Sequence, residues 1–354
     1  MIGAFFTKTQ YHKFILALVI SVTCVFSSCK SDAIIVYDLT LEEVKNIAET
    51  AGKDFCVVLS HPDCPPCASF IENLDNRHNK NLIDKVIFNV VDASQPANKW
   101  YTHWLCTGAF PTTCVFSSEG KLKSVVSGLT KAGMQCIEST VDGNAKCADY
   151  FYEKHYPITG DYLLLLNNLL ICKNDLDNGK DIGEAIDTCI RQSNSPYPIF
   201  LKSLNEKNQG RQEEAAQYAK RMLEFEETYY SYVYDDLYQQ AKYIANPNYN
   251  PEEDAILSVV EEILLTDCKV DEPLRFTVQI TNSGKFPLLV RDIQTSCSCL
   301  KLSSSPRFKL KPGESTDIEA VFTAEGKGLF YREIMIFSDA AQSLKRVVIR
   351  TEVG

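Results

Sequence analysis

The spacing of apolar positions divides the chain into three stretches, each with its own period. In the first, Leu41, Val44, Ile47 and Ala48 repeat at helical spacing and stop near Gly52. Phe55 to Leu59 is an unbroken apolar run of strand length, and Cys67, Phe70, Ile71 and Leu74 follow at helical spacing. An alternating strand over 86–91, a helix through Trp100 and Trp104, a strand through Val125 and Val126 and a helix from about Thr130 complete it. The second stretch is helical, with helices expected over 162–172, 182–190, 198–207, 211–225 and 229–244. A linker, Asn246-Pro247-Asn248-Tyr249-Asn250-Pro251, separates it from the third. There Leu274, Phe276, Val278 and Ile280 alternate with Arg275, Thr277 and Gln279, and strands follow over 288–293, 317–322, 331–337 and 345–351. Turns at Asn282-Ser283-Gly284 and Pro312-Gly313-Glu314 separate some of these strands. The expected fold is multidomain: α/β, then α-helical, then all-β.

Composition adds a compartment. The 354 residues are 45% hydrophobic, enough for two or three domains, each with a core. Lys8 and Lys13 precede the apolar run Phe14 to Phe26, which is too short to span a membrane comfortably and reads as a signal peptide. Ser27-Ser28-Cys29 then resembles a bacterial lipoprotein cleavage box, with Cys29 as the lipidated residue and Phe26 in a place more often small or aliphatic. The alternative is an uncleaved N-terminal anchor. Residues 1–28 carry two lysines and no acid, so the remainder has 34 basic and 46 acidic side chains, net −12. That charge argues against nucleic acid and against an electrostatic membrane patch. Setting aside Cys24 and Cys29, twelve of the 14 cysteines remain, an even and generous number that suits an oxidising compartment. No histidine lies near the C-terminal cysteines and no CxxC…CxxC pair exists, so a metal site is not expected.

The chemistry concentrates in Ser60-His61-Pro62-Asp63-Cys64-Pro65-Pro66-Cys67, between the apolar strand and the amphipathic helix. Cys64 begins the helix, where the positive end of the dipole favours its thiolate, and the first turn keeps the two sulfurs close. Pro65 and Pro66 fit because first-turn N–H groups have no intrahelical partner. With Phe110-Pro111-Thr112-Thr113 downstream, this stretch resembles the TlpA/thioredoxin superfamily over about a third of the chain. The resemblance implies a thioredoxin fold, a cis bond before Pro111, and a groove in which the backbone of Phe110 pairs with a substrate strand. It also implies that Cys64 attacks and Cys67 resolves. Two departures weaken the thiolate: Phe55 to Leu59 holds no acid to move protons, and Asp63 replaces an aromatic beside Cys64. The two prolines also remove N–H donors. His61 acts either as a cation or base, or as a loop residue with no role.

The helical stretch resembles tetratricopeptide pairs, with Glu184-Ala185 and Glu214-Ala215 recurring 30 residues apart. Its tyrosines invite a partner-binding reading, but Tyr230, Tyr234, Leu237, Ala241 and Ile244 share a helical face, which favours packing. Cys172 with Cys189, on successive helices, and Cys136 with Cys147, flanking a Gly143-Asn144 turn, are candidate disulfides. The third stretch, through Thr281-Asn282-Ser283-Gly284, Thr295-Ser296-Cys297-Ser298-Cys299 and Pro312-Gly313-Glu314, resembles an uncharacterised β-sandwich family common in Bacteroidota lipoproteins. The expected architecture there is an immunoglobulin-like sandwich. With Cys297 and Cys299 on one strand a bond between them is not expected; pairing with Cys268, or buried thiols, is.

The boundaries that follow are a signal peptide over 1–28, a thioredoxin-like domain over 29–147, a helical-pair domain over 148–247 and a sandwich over 252–354. Two functions remain. In the first, a lipid-anchored thiol:disulfide oxidoreductase of the cell envelope uses Cys64 and Cys67 on client proteins with thiols or disulfides. His61, Asp63, Phe110 and Pro111 border the substrate, an upstream dithiol protein exchanges electrons, and no cofactor is needed. In the second, an adaptor is held by a static Cys64–Cys67 bond. Replacing Cys29→Ser is expected to abolish lipid attachment; incorporation of radiolabelled fatty acid into the variant would overturn the assignment.

Overall fold

The computed structural model describes residues 34–62, 64–74, 82, 84–128, 131–144, 161–193, 195–225, 228–303 and 307–354. The first stretch folds as β1 (Ile34–Tyr37), α1 (Leu41–Ala51), β2 (Asp54–Ser60), α2 (Pro65–Leu74), β3 (Val86–Asp92), α3 (Trp100–Leu105), β4 (Thr112–Phe116), β5 (Leu122–Ser127) and α4 (Lys131–Val141). Thr40 caps α1 in a reciprocal box with Glu43, and Gly52 ends it at φ 62°, a conformation that glycine adopts without a Cβ penalty. The sheet order is β1-β3-β2-β4-β5, with β1, β3 and β2 parallel and β4 and β5 antiparallel to their neighbours. Phe55 to Leu59 is wholly buried. Its unbroken apolar run follows from that, since neither face of a central strand meets water. Cys56 and Val58 share a cluster with Phe70 and Leu74 of α2 and Ile137 of α4. Phe55, Val57 and Leu59 cluster with Val44 of α1, Trp104 of α3 and Leu165 of the next helix.

That next helix opens the second stretch: α5 (Tyr162–Asp177), α6 (Gly183–Gln192), α7 (Pro196–Asn208), α8 (Gln212–Leu223) and α9 (Thr228–Ala245). It does not keep a separate core; one cluster runs from the sheet through all five helices. Polar groups fix the join. The Asn167 side chain accepts from the Leu122 N–H at 2.9 Å and donates to the Leu122 carbonyl at 3.1 Å, continuing the edge of β5. Trp104 Nε1 donates to the Leu166 carbonyl, satisfying a buried indole. Among the helices, the buried Lys202 meets Asp187 at 3.0 Å and Glu206 at 3.2 Å, and Glu206 also pairs with Arg211. Burial pushes the Glu206 carboxyl up, but hydrogen bonds from Arg211 and Lys202 outweigh it and leave the group below its usual range. The tyrosine stripe of α9 packs inward: Tyr234, Leu237 and Ala241 are buried, and the Tyr234 hydroxyl donates to the His103 carbonyl at 3.0 Å.

The third stretch contains β6 (Leu257–Ser258), β7 (Glu262–Leu264), β8 (Pro273–Asn282), β9 (Leu288–Thr295), β10 (Leu300–Leu302), β11 (Phe308–Leu310), β12 (Ser315–Thr323), β13 (Gly328–Ser338) and β14 (Leu344–Val353). They form a four-stranded sheet, β10-β12-β8-β6, and a five-stranded sheet, β11-β9-β13-β14-β7. Both contribute to one core, with Val278, Ile280 and Ile318 from the first and Val290, Ile336 and Val347 from the second. The long strands were legible from alternation. The short ones, β6, β7, β10 and β11, carry too few residues for a period to register. Met335, Phe337 and Leu344, from the second sheet, pack against Tyr232 of α9, and Lys242 donates to the carbonyls of Ala340 and Ala341.

One sequence expectation fails here. Cys297 and Cys299 are bonded to each other, and Cys268 is a buried thiol. An extended strand would hold their Cα atoms roughly 6.6 Å apart, whereas β9 ends at Thr295, residues 296–299 turn before β10 and the Cα atoms lie 5.2 Å apart. The turn brings the pair into ordinary disulfide reach, so the two sulfurs meet.

Asn167→Ala is expected to leave the Leu122 N–H and carbonyl without their partner and to cost about 1–3 kcal/mol. Chemical denaturation reads the loss, and faster amide exchange at Leu122 assigns it to this join.

Candidate functional site

At the end of β2 the chain passes through His61 and Pro62 to Cys64, and α2 starts at Pro65. The Cys64 carbonyl accepts from the N–H groups of Cys67 at 2.9 Å and Ala68 at 3.1 Å, the first bonds of the helix. Cys64 and Cys67 are joined as a disulfide with Cα atoms 5.2 Å apart. The partners differ in access: Cys67 is 1% exposed, whereas Cys64 is half-buried between solvent and the helix start. The Cys67 N–H also points at the Cys64 sulfur, 3.2 Å away. It is a donor that Pro65 and Pro66 cannot supply, and it favours negative charge on Cys64 when the bond opens.

Leu59 pairs across the sheet with Thr112, so His61 and Pro62 and the loop before β4 leave the same end of the sheet. The Phe110–Pro111 bond is cis, as the resemblance implied. Thr112 Oγ1 donates to the Ala109 carbonyl at 2.7 Å, and the Gly128 N–H donates to the Pro111 carbonyl at 2.8 Å, holding the loop from both sides. The rings of His61 and Phe110 lie 6.0 Å apart. Behind the cysteines no carboxylate sits in the middle of β2. Asp54, at its start, pairs with Lys123, and the positions that face α2 are Cys56 and Val58.

A cleft of about 500 Å³ opens beside this loop. His61 and Phe110 form one wall, Tyr232, Asp235 and Asp236 of α9 a second, and Arg346 of β14 a third. All three stretches of the chain therefore line one space. The Tyr232 ring lies directly over Gly108, where any Cβ would collide with it, and the Arg346 guanidinium stacks 4.7 Å from the same ring. Arg346 also donates to the Tyr232 carbonyl at 3.2 Å. Asp236 meets His103 Nε2 at 3.0 Å and Lys99 at 3.2 Å, and Lys99 reaches Asp235 at 3.6 Å. Burial pushes the Asp236 carboxyl up, but the hydrogen bond and charge of His103 and the charge of Lys99 prevail, and the group titrates below its usual range. Asp92, at the end of β3, is also lowered: burial opposes, while hydrogen bonds from Ser94 and Gln95 and the charge of His61 prevail.

Residues 259–353 match the family model described as "Protein of unknown function (DUF1573)". The C-terminal stretch is a DUF1573 domain. No curated protein matches the chain. Among solved structures, a protein of unknown function from Porphyromonas gingivalis W83 is 20% identical, with a TM-score of 0.26. That match covers 30% of this chain and half the length of that protein. The short form of spinach chloroplast thioredoxin f is 17% identical over 32% of this chain and 98% of its own, with a TM-score of 0.26. A PapD-like domain of human CEP192 is 8% identical over 30% of this chain and 89% of its own, with a TM-score of 0.25. The two thioredoxin and PapD-like likenesses are weak.

Of the sequence-predicted site residues, Cys64, Cys67, His61, Phe110 and Pro111 come together at one end of the sheet, while Asp63 and Cys29 lie outside the described residues. Periodicity did not mark Gly108, Asp236 or Arg346 of the DUF1573 domain, because each acts through a partner distant in sequence. Tyr232 lies off the apolar stripe of α9, which was the available signal. Cys172 and Cys189 do meet, on α5 and α6, but as thiols sharing a hydrogen bond that favours the anion on Cys172 and keeps the proton on Cys189. Cys147 lies outside the described residues, so its pairing with Cys136 is not part of the picture. No group of three or more ligating side chains among the described residues is placed to hold a metal, and no described helix is long and apolar enough to cross a membrane.

Because Asp236 is held below its ordinary value, near 3.9, its ion pairs stabilise fully above that value and lose their effect as pH falls through the folded value. Asp236→Asn is therefore expected to lower the urea midpoint at pH 6 and to flatten its decline below about pH 4. Parallel acid limbs in the two proteins would contradict the ion-pair assignment.

Proposed function

We propose that the chain is a lipid-anchored thiol:disulfide oxidoreductase of the cell envelope, acting on client proteins through Cys64 and Cys67. The observation that carries this reading is the Cys64–Cys67 pair at a helix start, one sulfur accessible and one buried, beside an open cleft. The strand order and flanking helices support a thioredoxin-like fold for 29–147. The shared core of the two C-terminal sheets supports an immunoglobulin-like sandwich for 252–354, with a helical-pair domain over 148–247 between them.

In the reduced protein, the Cys64 thiolate attacks one sulfur of a client disulfide, forming a mixed disulfide and releasing the client's other sulfur as a thiolate. Cys67 then loses its proton and attacks the Cys64 sulfur, releasing the second client thiolate. The client gains two electrons and the protein ends as the Cys64–Cys67 disulfide. A dithiol partner protein returns it to the start, and the reverse sequence oxidises a client dithiol. Phe110 and Pro111 border the approaching client, and the cleft walls from α9 and β14 restrict which segments reach Cys64. Membrane attachment rests on Cys29 as the lipidated residue.

The adaptor reading keeps one observation on its side, the absence of a carboxylate in the middle of β2. Cys67→Ser separates the two. In the oxidoreductase it removes the resolving thiol and leaves Cys64 in mixed disulfides, visible as reductant-sensitive high-mass bands in envelope extracts. Cys64→Ser is expected to give none. If Cys67→Ser traps no client between pH 6 and 9 while the wild type is isolated fully oxidised, the adaptor reading replaces this one.

A further inference from the structure

The second disulfide, Cys297–Cys299, lies far from the first in sequence and joins residues only two positions apart. It closes a ring within one turn and ties no two elements together, so it constrains the unfolded chain little. The turn does not depend on it for shape either. Ser296 N–H donates to the Glu333 carbonyl at 3.0 Å, and the Glu333 N–H donates to Ser296 Oγ at 2.9 Å. Thr323 N–H donates to the Cys299 carbonyl at 2.9 Å, and Thr295 Oγ1 donates to the Cys297 carbonyl at 3.2 Å. The backbone of 296–299 is thus pinned from β12 and β13 whether or not the sulfurs are joined.

The two sulfurs sit in different surroundings. Cys297 is half-buried between the exposed Ser296 and Ser298, whereas Cys299 is 9% exposed. Arg332 on β13 brings its Nε to 3.1 Å from the Cys299 sulfur. Its Nη1 donates to the Tyr331 carbonyl at 2.8 Å, and the guanidinium lies 5.1 Å from the centre of the Phe330 ring, so its position is set by three contacts. A guanidinium carries its charge at every accessible pH. It gains little from a neutral disulfide sulfur and much more from a thiolate. The environment of Cys299 is complementary to the reduced state.

We infer that Cys297–Cys299 is a second thiol–disulfide exchange centre, with Cys297 as the sulfur attacked and Cys299 as the leaving thiolate held by Arg332. The inference does not depend on the chemistry of Cys64. The substrate class is a dithiol, on a protein or a small molecule. One thiolate of the dithiol attacks the Cys297 sulfur; the Cys297–Cys299 bond breaks and its electron pair leaves on Cys299 beside Arg332. The second thiol of the substrate, after losing its proton to solvent, attacks the substrate sulfur of the mixed disulfide and expels Cys297 as a thiolate, which takes a proton from solvent. The substrate leaves as a disulfide, two electrons poorer, and the centre holds a thiol and a thiolate. A better leaving thiolate departs faster, so the cation acts on the rate as well as on the product.

Equilibration of the full chain in graded glutathione buffers, followed by differential alkylation and peptide mass mapping, reads the two disulfides separately. Cys297–Cys299 is expected to open and reclose reversibly, whatever the Cys64–Cys67 pair does. In the reduced protein, alkylation of Cys299 is expected to have its pH midpoint below the ordinary cysteine value, near 8.5. Arg332→Gln is expected to raise that midpoint by about one unit or more and to slow reduction by dithiothreitol by roughly tenfold, with Arg332→Lys restoring part of both. A pair that stays closed until the protein unfolds would overturn the inference, and so would an Arg332→Gln profile identical to the wild type. Should Arg332→Gln fail to fold, the wild-type midpoint decides alone, a value at or above 8.5 refuting the assignment.

Discussion

Both faces of the five-stranded sheet have to be kept from water, and the first stretch of chain covers them with too few helices of its own. α2 and α4 cover the face that carries Cys56 and Val58. The face that carries Phe55, Val57 and Leu59 is closed by α1 and α3 together with the helical block that follows. Each large aliphatic or aromatic side chain so buried gains roughly 1.5–3 kcal/mol, which makes the block part of the sheet's fold. The polar groups at the seam, the Asn167 amide on Leu122 and the Trp104 indole on Leu166, then set its register, because a buried donor without a partner is costly. Once that register is set, α9 lies against α3, and the C-terminal sheets lie against α9.

From this dependence comes the shape of the candidate site. His103 and Tyr234 fasten α9 to α3, and Asp236 faces both His103 and Lys99. Tyr232 consequently overlies Gly108, next to the loop that carries Phe110 and Pro111. The absence of a side chain at Gly108 is what lets an aromatic ring from a distant helix rest on this loop. Arg346 reaches the same ring from the DUF1573 domain, so the cleft beside Phe110 is built from parts nearly 240 residues apart.

Much of the fold was legible where one physical signal dominated. The unbroken run Phe55 to Leu59, the helical repeat after Cys64 and the alternation from Leu274 to Ile280 each correspond to a described element. The pairing of Cys64 with Cys67 and the cis bond at Pro111 were legible because the residues bearing them are adjacent or have a local conformational cause. What could not be read depends on contacts between distant residues. The shared core, the Asn167 join and the cleft wall from Tyr232 and Arg346 leave no periodic trace. The expectation for Cys297 and Cys299 failed for a local reason: an extended strand was assumed beyond the end of β9, where residues 296–299 turn and bring the two sulfurs together.

Two buried thiols bear on the fidelity of the disulfide exchange proposed above. Cys56 and Cys114 lie on opposite faces of the sheet, fully buried, and burial pushes both thiols well above their usual range. A thiol that stays protonated and out of reach neither attacks a passing disulfide nor captures a mixed one. The exchange proposed at the two surface pairs would therefore not scramble into the sheet. The same sheet that orders the molecule thus insulates the two thiols on its own strands from the surface.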